Sequence, residues 1–549
     1  MAMEIMGWLR QNAPAVFAGR DLQVDTRRLK PGDVFVALPG ALAGKSGDGR
    51  DYIDAAIARG AAAVIVEAEG WFARDYAVPV LPVANLRRVL GQFAARFYGQ
   101  PSESLLAIGV TGTNGKTSCS QWIAQLLSRE GTRCAVIGTI GSGFPDTPMS
   151  GADLTTPDAV ALQRALRSLV GAGAQALAME VSSIGLEQGR VFGVSYDIAL
   201  FTNLTRDHLD YHGTMERYEA AKTTLFDWPT LTHAVINLDD PAGQRLVQRL
   251  ANRAAASGVK VIGTTTMDAE PAAPVAALLT ARSLQATAVG LAFELGLRGS
   301  DPIEVEVPLV GTFNVANLLG VAGVALAAGV PLARVCEQLP RLAAPPGRMQ
   351  RVGGAGEPLA VIDYAHTPDA LDKALTALRP LVHARGGSLW VVFGAGGNRD
   401  PGKRAPMGEA AGRLADYVVI TSDNPRNETP EDIVTAVAAG IPEPARGYAA
   451  RIVDRAEAIR LSLGMAHDRD VVLIAGKGHE TYQEVEGVRR PFSDVAHAQQ
   501  ALAARRSGTR VDGPAPQPMP SNIVPLSRAA PRRDDGNNSS NTMELAFLW

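Results

Sequence analysis

The sequence predicts an α/β protein of three domains followed by an unfolded tail. Three observations predict it. Apolar runs of strand length alternate with helix-period segments in three successive blocks of the 549 residues, enough chain for about three or four cores. One such run feeds a glycine turn that opens an amphipathic segment. Beyond Gly508 prolines recur, and then Arg532-Arg533-Asp534-Asp535-Gly536-Asn537-Asn538-Ser539-Ser540-Asn541 offers too little apolar surface to fold.

Residues 1–99 are expected to form a small α/β domain, with strands at 34–38 and 62–67 and a helix at 52–59. Residues 100–345 carry strand-like runs at 105–110, 176–180, 198–201 and 234–237 between helical segments, the pattern of a mainly parallel sheet covered on both faces. Pro345-Pro346-Gly347 punctuates the chain. A third, Rossmann-like block at 346–508 has strands at 359–362, 389–393, 417–421 and 471–474. The tail, 509–549, is read as disordered and dispensable, with Met543-Glu544-Leu545-Ala546-Phe547-Leu548-Trp549 as its apolar exception.

Hydrophobic residues make up 46% and charged residues 20%, with a formal net charge of −3. That balance gives no support for nucleic-acid or anionic-membrane binding through bulk charge. Cys119, Cys134 and Cys336 are odd in number and lack zinc spacing, which fits a reducing cytoplasm. No basic-then-apolar leader pattern or membrane-length apolar run stands out, so a cytoplasmic protein without membrane insertion is expected, as a monomer.

The chemistry begins at Gly112-Thr113-Asn114-Gly115-Lys116-Thr117, with Ser118 behind it. A strand, a glycine turn and a helix N-terminus together present free N–H groups and a helix dipole to phosphate. Lys116 can neutralise β/γ-phosphates and the Thr117 hydroxyl can ligate Mg²⁺, so the segment reads as an ATP site. Trp122, Ile123, Leu126 and Leu127 continue at helical spacing to Gly131, a helix stop. The full phosphate-loop pattern would have glycine where Val110 stands, and an ordinary glycine turn is the alternative.

Glu180 ends an apolar run, which would put a carboxylate beside that loop as a metal ligand. The segment Asn203-Leu204-Thr205-Arg206-Asp207-His208-Leu209-Asp210-Tyr211-His212-Gly213 leaves another strand and packs polar groups where a loop should cross the same sheet edge. Singly, such residues are usually solvated or structural. Their convergence on one phosphate loop favours function.

With these residues in view the chain resembles the Mur ligase family, most closely its diaminopimelate-adding branch. Matching stretches run in order: Asp25-Thr26-Arg27, the phosphate loop, Thr155-Thr156-Pro157, Glu180-Val181-Ser182-Ser183, Asn203 through Gly213, Lys222 and Gly311-Thr312-Phe313-Asn314-Val315-Ala316-Asn317. They continue with Pro346-Gly347-Arg348, Asp363-Tyr364-Ala365-His366-Thr367-Pro368, Asp423-Asn424-Pro425-Arg426 and Gly476-Lys477-Gly478-His479-Glu480. The resemblance implies ATP-dependent amide formation in peptidoglycan precursor synthesis, through an acyl phosphate. UDP-N-acetylmuramoyl-dipeptide and meso-diaminopimelate would be the other substrates.

Position by position, the resemblance places Val24 and Thr26 on the uridine end, with Thr155, Thr156, Ser182, Gln188 and Arg190 on the muramoyl-dipeptide. It implies Mg²⁺ held by Thr117, Glu180, His208 and Lys222, the last as N6-carboxylysine; an unmodified lysine pairing with phosphate is the alternative. Lys116, Glu180, His208 and Lys222 would be catalytic, and Asn314, Asn317, Arg348 and Asp363 would complete the ATP site. Arg399, Asp423, Asn424, Pro425, Arg426, Gly476 and Glu480 would surround diaminopimelate. Arg426 is then the expected reader of its distal carboxylate, and a loop arginine capping carbonyls is the bland alternative.

Two positions depart from the family pattern: Ile184 replaces a histidine and Asn398 an aspartate, each removing a polar or charged group. Lysine-adding and folylpolyglutamate-type ligases share the ATP chemistry but not the Asp-Asn-Pro-Arg loop. A phosphate-loop kinase would not need the third domain. A non-catalytic precursor-binding scaffold would not need Lys116, Glu180, His208 and Lys222 together.

Overall fold

The computed structural model describes residues 1–40, 47–147, 149–151 and 154–507; the expected tail at 509–549 lies outside them. Leu22–Gln23, Val34–Ala37, Ala63–Glu67 and Val80–Val83 form a parallel four-stranded sheet. Alternation along these strands sends Val34, Val36 and Ile65 under the helices Ala2–Asn12 and Leu86–Phe97. Phe35, Val64 and Val66 go to the opposite face, against Ile53–Ala58.

The central sheet has ten strands. Its parallel part runs, in spatial order, Ala277–Ala286, Lys260–Thr265, His233–Asn237, Ile198–Phe201, Leu106–Thr111, Ala176–Glu180 and Cys134–Gly138. The sequence pattern missed an antiparallel arm, Ala277–Ala286 with Leu291–Leu297 and Ile303–Val307, joined by turns too short for a parallel crossover. Leu106–Thr111 lies between Ile198–Phe201 and Ala176–Glu180 with Val110 opposite Glu180 and Thr111 opposite Phe201. This register brings three strand ends to one edge, where open parallel sheets bind ligands. One face is covered by Lys116–Arg129 and the almost wholly buried Phe313–Ala327.

The third sheet runs Gln350–Gly353, Leu359–Asp363, Val471–Ala475, Leu389–Phe393, Tyr417–Ile420 and Ala449–Arg451, parallel except at its first strand. Asp363, Gly476, Gly394 and Asp423 leave its carboxyl edge. Thr429 stands at the N-cap of Pro430–Ala438, but its side chain makes no capping hydrogen bond; Pro430 starts the helix instead.

Behind this edge Arg455 is fully buried and pairs with Asp494 through Nε and Nη2, both at 2.7 Å. The same guanidinium donates to Ser422 O at 3.2 Å and Ala475 O at 2.9 Å, the residues just before Asp423 and Gly476. Asp494→Asn would leave a buried guanidinium without its counter-charge, at a cost of about 3–5 kcal/mol. Urea unfolding followed by a probe in the C-terminal domain should show that loss; an unchanged midpoint would mean the pair does not secure these strand ends.

Candidate active site

The turn 112–115 is shaped by its neighbours. Gly112 has φ +146°, and a Cβ there would lie 1.9 Å from Thr202 Oγ1; Gly115 has φ +85°, and a Cβ would lie 2.4 Å from Asn317 Oδ1. Only glycine fits either place. Val110 is buried strand, paired on both sides, so the missing glycine of the full phosphate-loop pattern falls before the turn begins and leaves it intact. Thr113 N donates to Asn203 O at 2.8 Å and Asn114 N to Asn203 Oδ1 at 2.9 Å, latching the 203–213 segment across the turn. Lys116, Thr117 and Ser118 open the helix Lys116–Arg129, whose first N–H groups have no acceptor within it.

Two amines meet at this turn. Lys116 Nζ donates to Gly112 O and Thr113 O, each at 2.8 Å, and Lys222 Nζ donates to the same Gly112 O at 2.7 Å. Lys222, only 1% exposed, lies over the Tyr218 ring at 4.4 Å. Burial first, then the neighbouring Lys116 charge, push its pKa down to about 6. Burial also lowers that of Lys116.

Glu180, 1% exposed, accepts from Thr117 Oγ1 at 3.0 Å, Thr139 Oγ1 at 3.1 Å and Thr139 N at 2.8 Å. Burial raises its pKa against the pull of Lys116. Two hard oxygens, Thr117 Oγ1 and Glu180 Oε2, therefore stand together in a dry spot that favours a cation, and the donor chemistry suits Mg²⁺. His208 is not part of this buried set. It is 46% exposed on the rim, at φ +50°, with its ring edge-on to Tyr218 at 6.1 Å. Among the described residues no three His, Cys, Asp or Glu side chains form a ready-made metal cage.

Asn317 Nδ2 donates to Asn314 Oδ1 at 3.1 Å and Asn314 Nδ2 to Val310 O at 2.7 Å, fixing both amides beside the turn. Asp363 accepts from Met349 N and Ala365 N, each at 2.9 Å, so its carboxylate organises backbone. Arg348 lies over Tyr364 at 5.3 Å, near enough for its charge to lower the pKa of Lys116.

A cleft of about 1240 Å³ lies among the three sheets, lined by Val24, Thr26, Asp158, Arg190, Arg399 and Arg489. Thr155 Oγ1 is 3.0 Å from Thr139 Oγ1. The Thr156 hydroxyl is buried between Glu180 O and Ser182 N, both at 3.0 Å, while Ser182 Oγ accepts from Gly185 N at the cap of the helix Ser183–Glu187 and keeps its own proton to donate. Gln188 Oε1 accepts from Arg190 Nε at 3.0 Å and Nη2 at 2.7 Å, and Arg190 Nη1 donates to Thr156 O at 2.9 Å, aiming this arginine at the cleft.

At the third sheet Asn424 Nδ2 donates to Glu480 Oε2 at 2.8 Å, joining the 423–426 loop to the turn after Gly476. Pro425 is buried, and Arg426 follows at φ +54°. Arg426 N donates to Glu484 O at 3.0 Å and Nη1 to Gly397 O at 2.8 Å, so one edge of the fork caps a carbonyl. Arg399 is exposed at the cleft. Asn398 does not leave the gap its substitution suggested: its Oδ1 accepts from Asn427 N at 2.9 Å. Ile184 is half-buried in the helix Ser183–Glu187.

Sequence reasoning missed Thr139, Tyr218 and Lys477. Nothing local marks Thr139. Tyr218 lies four residues before Lys222 on one helix, a spacing that puts both on one face. Lys477, between glycines after a wholly apolar strand, was also visible there.

A phosphate loop on a mainly parallel sheet, faced by a second parallel-sheet domain with a charged pocket, defines a three-domain phosphate-loop enzyme. The Mur ligase family catalytic domain matches residues 21–98, the Mur ligase middle domain 110–325, and the Mur ligase glutamate ligase domain 347–478. The chain belongs to the Mur ligase family. A protein of Ralstonia nicotianae named UDP-N-acetylmuramoyl-L-alanyl-D-glutamate–2,6-diaminopimelate ligase is 52% identical over 91% of this chain and 96% of its own. One of the same name from Pseudomonas aeruginosa is 48% identical over 88% and 95%. A solved structure with that name superposes with a TM-score of 0.66 at 38% identity, covering 88% of this chain and 95% of its own. Folylpolyglutamate synthase from Mycobacterium tuberculosis, with a TM-score of 0.53 at 18% identity over 76% of this chain and 95% of its own, shares the fold.

Lys222→Met should remove one of two crowded amines while Gly112 O keeps its bond from Lys116. The ligand-free protein should then lose no stability, or gain on the order of 1 kcal/mol, while turnover falls about 100-fold or more. Thermal unfolding beside ATP-dependent phosphate release checks both. A fall in stability with full turnover would contradict the arrangement.

Proposed function

We propose that this chain adds meso-diaminopimelate to UDP-N-acetylmuramoyl-L-alanyl-D-glutamate, using ATP, as a cytoplasmic monomer in peptidoglycan precursor synthesis. The observation that carries the reading is the charge pattern at the third sheet. Asp423 and Glu480 supply two carboxylates, the second sharing one oxygen with Lys477, and Arg399 and Arg426 two guanidinium groups, opposite an amino acid with two ammonium and two carboxylate groups. The relatives' shared name agrees with it. All three cysteines are free and buried, as suits a reducing compartment.

In this mechanism the helix N-terminus and Lys116 hold the β/γ-phosphates of ATP, with Asn314, Asn317 and Arg348 closing the nucleotide side. Val24 and Thr26 take the uridine end in the cleft and Arg190 an anionic group of the muramoyl-dipeptide. The D-glutamate side-chain carboxylate attacks the γ-phosphorus, the bond to ADP breaks, and an acyl phosphate results. Lys116 offsets the charge that develops. The diaminopimelate amine then attacks the acyl carbon, loses a proton, and the tetrahedral intermediate expels inorganic phosphate to leave the amide. Orientation by the third domain accounts for much of the rate.

Mg²⁺, held by Thr117 and Glu180 with carboxylated Lys222, would supply charge neutralisation at the transferring phosphoryl group, while His208, exposed on the rim, would not be among its ligands in this arrangement. Support for the carboxylated lysine is the Lys222 amine itself: with its pKa down at about 6 it is mostly unprotonated near neutral pH. Only that form adds to CO₂, giving a carbamate and releasing a proton. Its anionic oxygens would stand beside Lys116 and relieve the like-charge contact.

The test is an amino-acid panel assayed for ATP-dependent phosphate release with the UDP-muramoyl-dipeptide. Diaminopimelate should be preferred over lysine. Arg426→Ala should lower kcat/KM for diaminopimelate by about 100-fold or more, as for a charge-assisted pair that loses one partner, and change that for lysine far less. An unchanged ratio would remove Arg426 as the carboxylate reader, and phosphate release with neither amino acid would remove the proposed reaction.

A further inference from the structure

Lys477 is fully buried, 0% exposed, although it sits in a glycine turn at the carboxyl edge of the third sheet. Its Nζ donates to Asn424 Oδ1 at 3.0 Å and to Glu480 Oε2 at 2.9 Å. Asn424 Nδ2 donates to the same Glu480 oxygen at 2.8 Å, which closes a ring of three side chains. Glu484 N adds a bond to Asn424 Oδ1 at 3.0 Å, and Glu480 N closes the turn onto Lys477 O at 3.0 Å. Turning the Asn424 amide over would set its NH₂ against two donors, so the ring admits one orientation.

The ring has a directional consequence. Both side-chain donors converge on Glu480 Oε2, which leaves Oε1 as the carboxylate oxygen outside the ring, on a side chain still 20% exposed. The ammonium of Lys477 offsets the Glu480 charge, whose burial would otherwise oppose the geometry. It also ties together two loops that reach the site from different strands, 423–426 and 476–480.

We propose that Lys477 is a positioning residue that sets amino-acid selection: it clamps one Glu480 oxygen and the Asn424 amide so that the other Glu480 oxygen meets the incoming ammonium. The inference rests on the amino-acid site proposed above. Lys477 itself does not touch the substrate.

The test is a double-mutant cycle in the full chain with Lys477→Met, Glu480→Gln and both, varying each of the three substrates in turn with the other two saturating. Lys477→Met should raise KM for diaminopimelate about tenfold or more and leave KM for the other two substrates within about twofold. The double variant should be no worse than the poorer single one, because the lysine acts through the glutamate. Equal increases in all three KM values, or fully additive effects, would reduce Lys477 to general packing and overturn the proposal. A Glu480→Gln effect with a silent Lys477→Met overturns it too, leaving the amino-acid site standing; a silent Glu480→Gln overturns both. If Lys477→Met does not fold, Lys477→Gln, which keeps a donor, goes through the same cycle under the same criteria.

Discussion

Two lysine amines on one carbonyl oxygen are the constraint around which the centre of this protein is arranged. Gly112 O accepts from Lys116 and from the buried Lys222. Two ammonium groups cannot both be comfortable there, and the structure answers by pushing Lys222 toward its neutral form. On the proposed reading the tension has a use: a phosphate chain, or a carbamate formed on Lys222, would lower the energy of an arrangement that is costly without it. The buried carboxylate of Glu180, held by Thr117 and Thr139, supplies the opposite charge nearby.

That arrangement follows from strand order. The phosphate-loop strand sits between the strands ending in Glu180 and Phe201, so three chain segments far apart in sequence leave the sheet within hydrogen-bonding reach. The latch between Asn203 and the turn shows the consequence: backbone of one loop fixes backbone of the other. The third sheet repeats the logic with different chemistry. Its edge carries Asp423 and Gly476, and the buried Arg455 braces the residue before each from behind. A rigid frame on one side and a ring of side chains on the other allow the loop at 423–426 to hold Arg426 in a left-handed backbone conformation.

Much of this was legible in the sequence, and what was legible had a local cause. Strands at 176–180, 198–201 and 389–393 stand at the bounds the apolar runs gave, because a strand buried on both faces must be apolar throughout. The antiparallel arm at 277–307 was not seen, although Ile303–Val307 alternates strictly, since its strands follow no parallel-crossover pattern. The roles of Thr156, Ser182 and Asp363 came from the family resemblance, and whether each faces ligand or braces backbone depends on partners supplied from elsewhere. Thr139 carried no local signal.

By itself the sequence determined the alternating α/β pattern, the glycine turn with Lys116 and Thr117, and the inventory of charged residues along the strand ends. Periodicity and steric need act within a few residues, and these features are of that kind. Tertiary structure alone decided that Lys116 and Lys222 share an oxygen, that His208 stands on the rim, and that Lys477 is buried against Asn424 and Glu480. Those facts depend on the order in which strands lie side by side. The bond from Lys222 to Gly112 O and the depression of the Lys222 pKa arise only when segments more than a hundred residues apart are buried together.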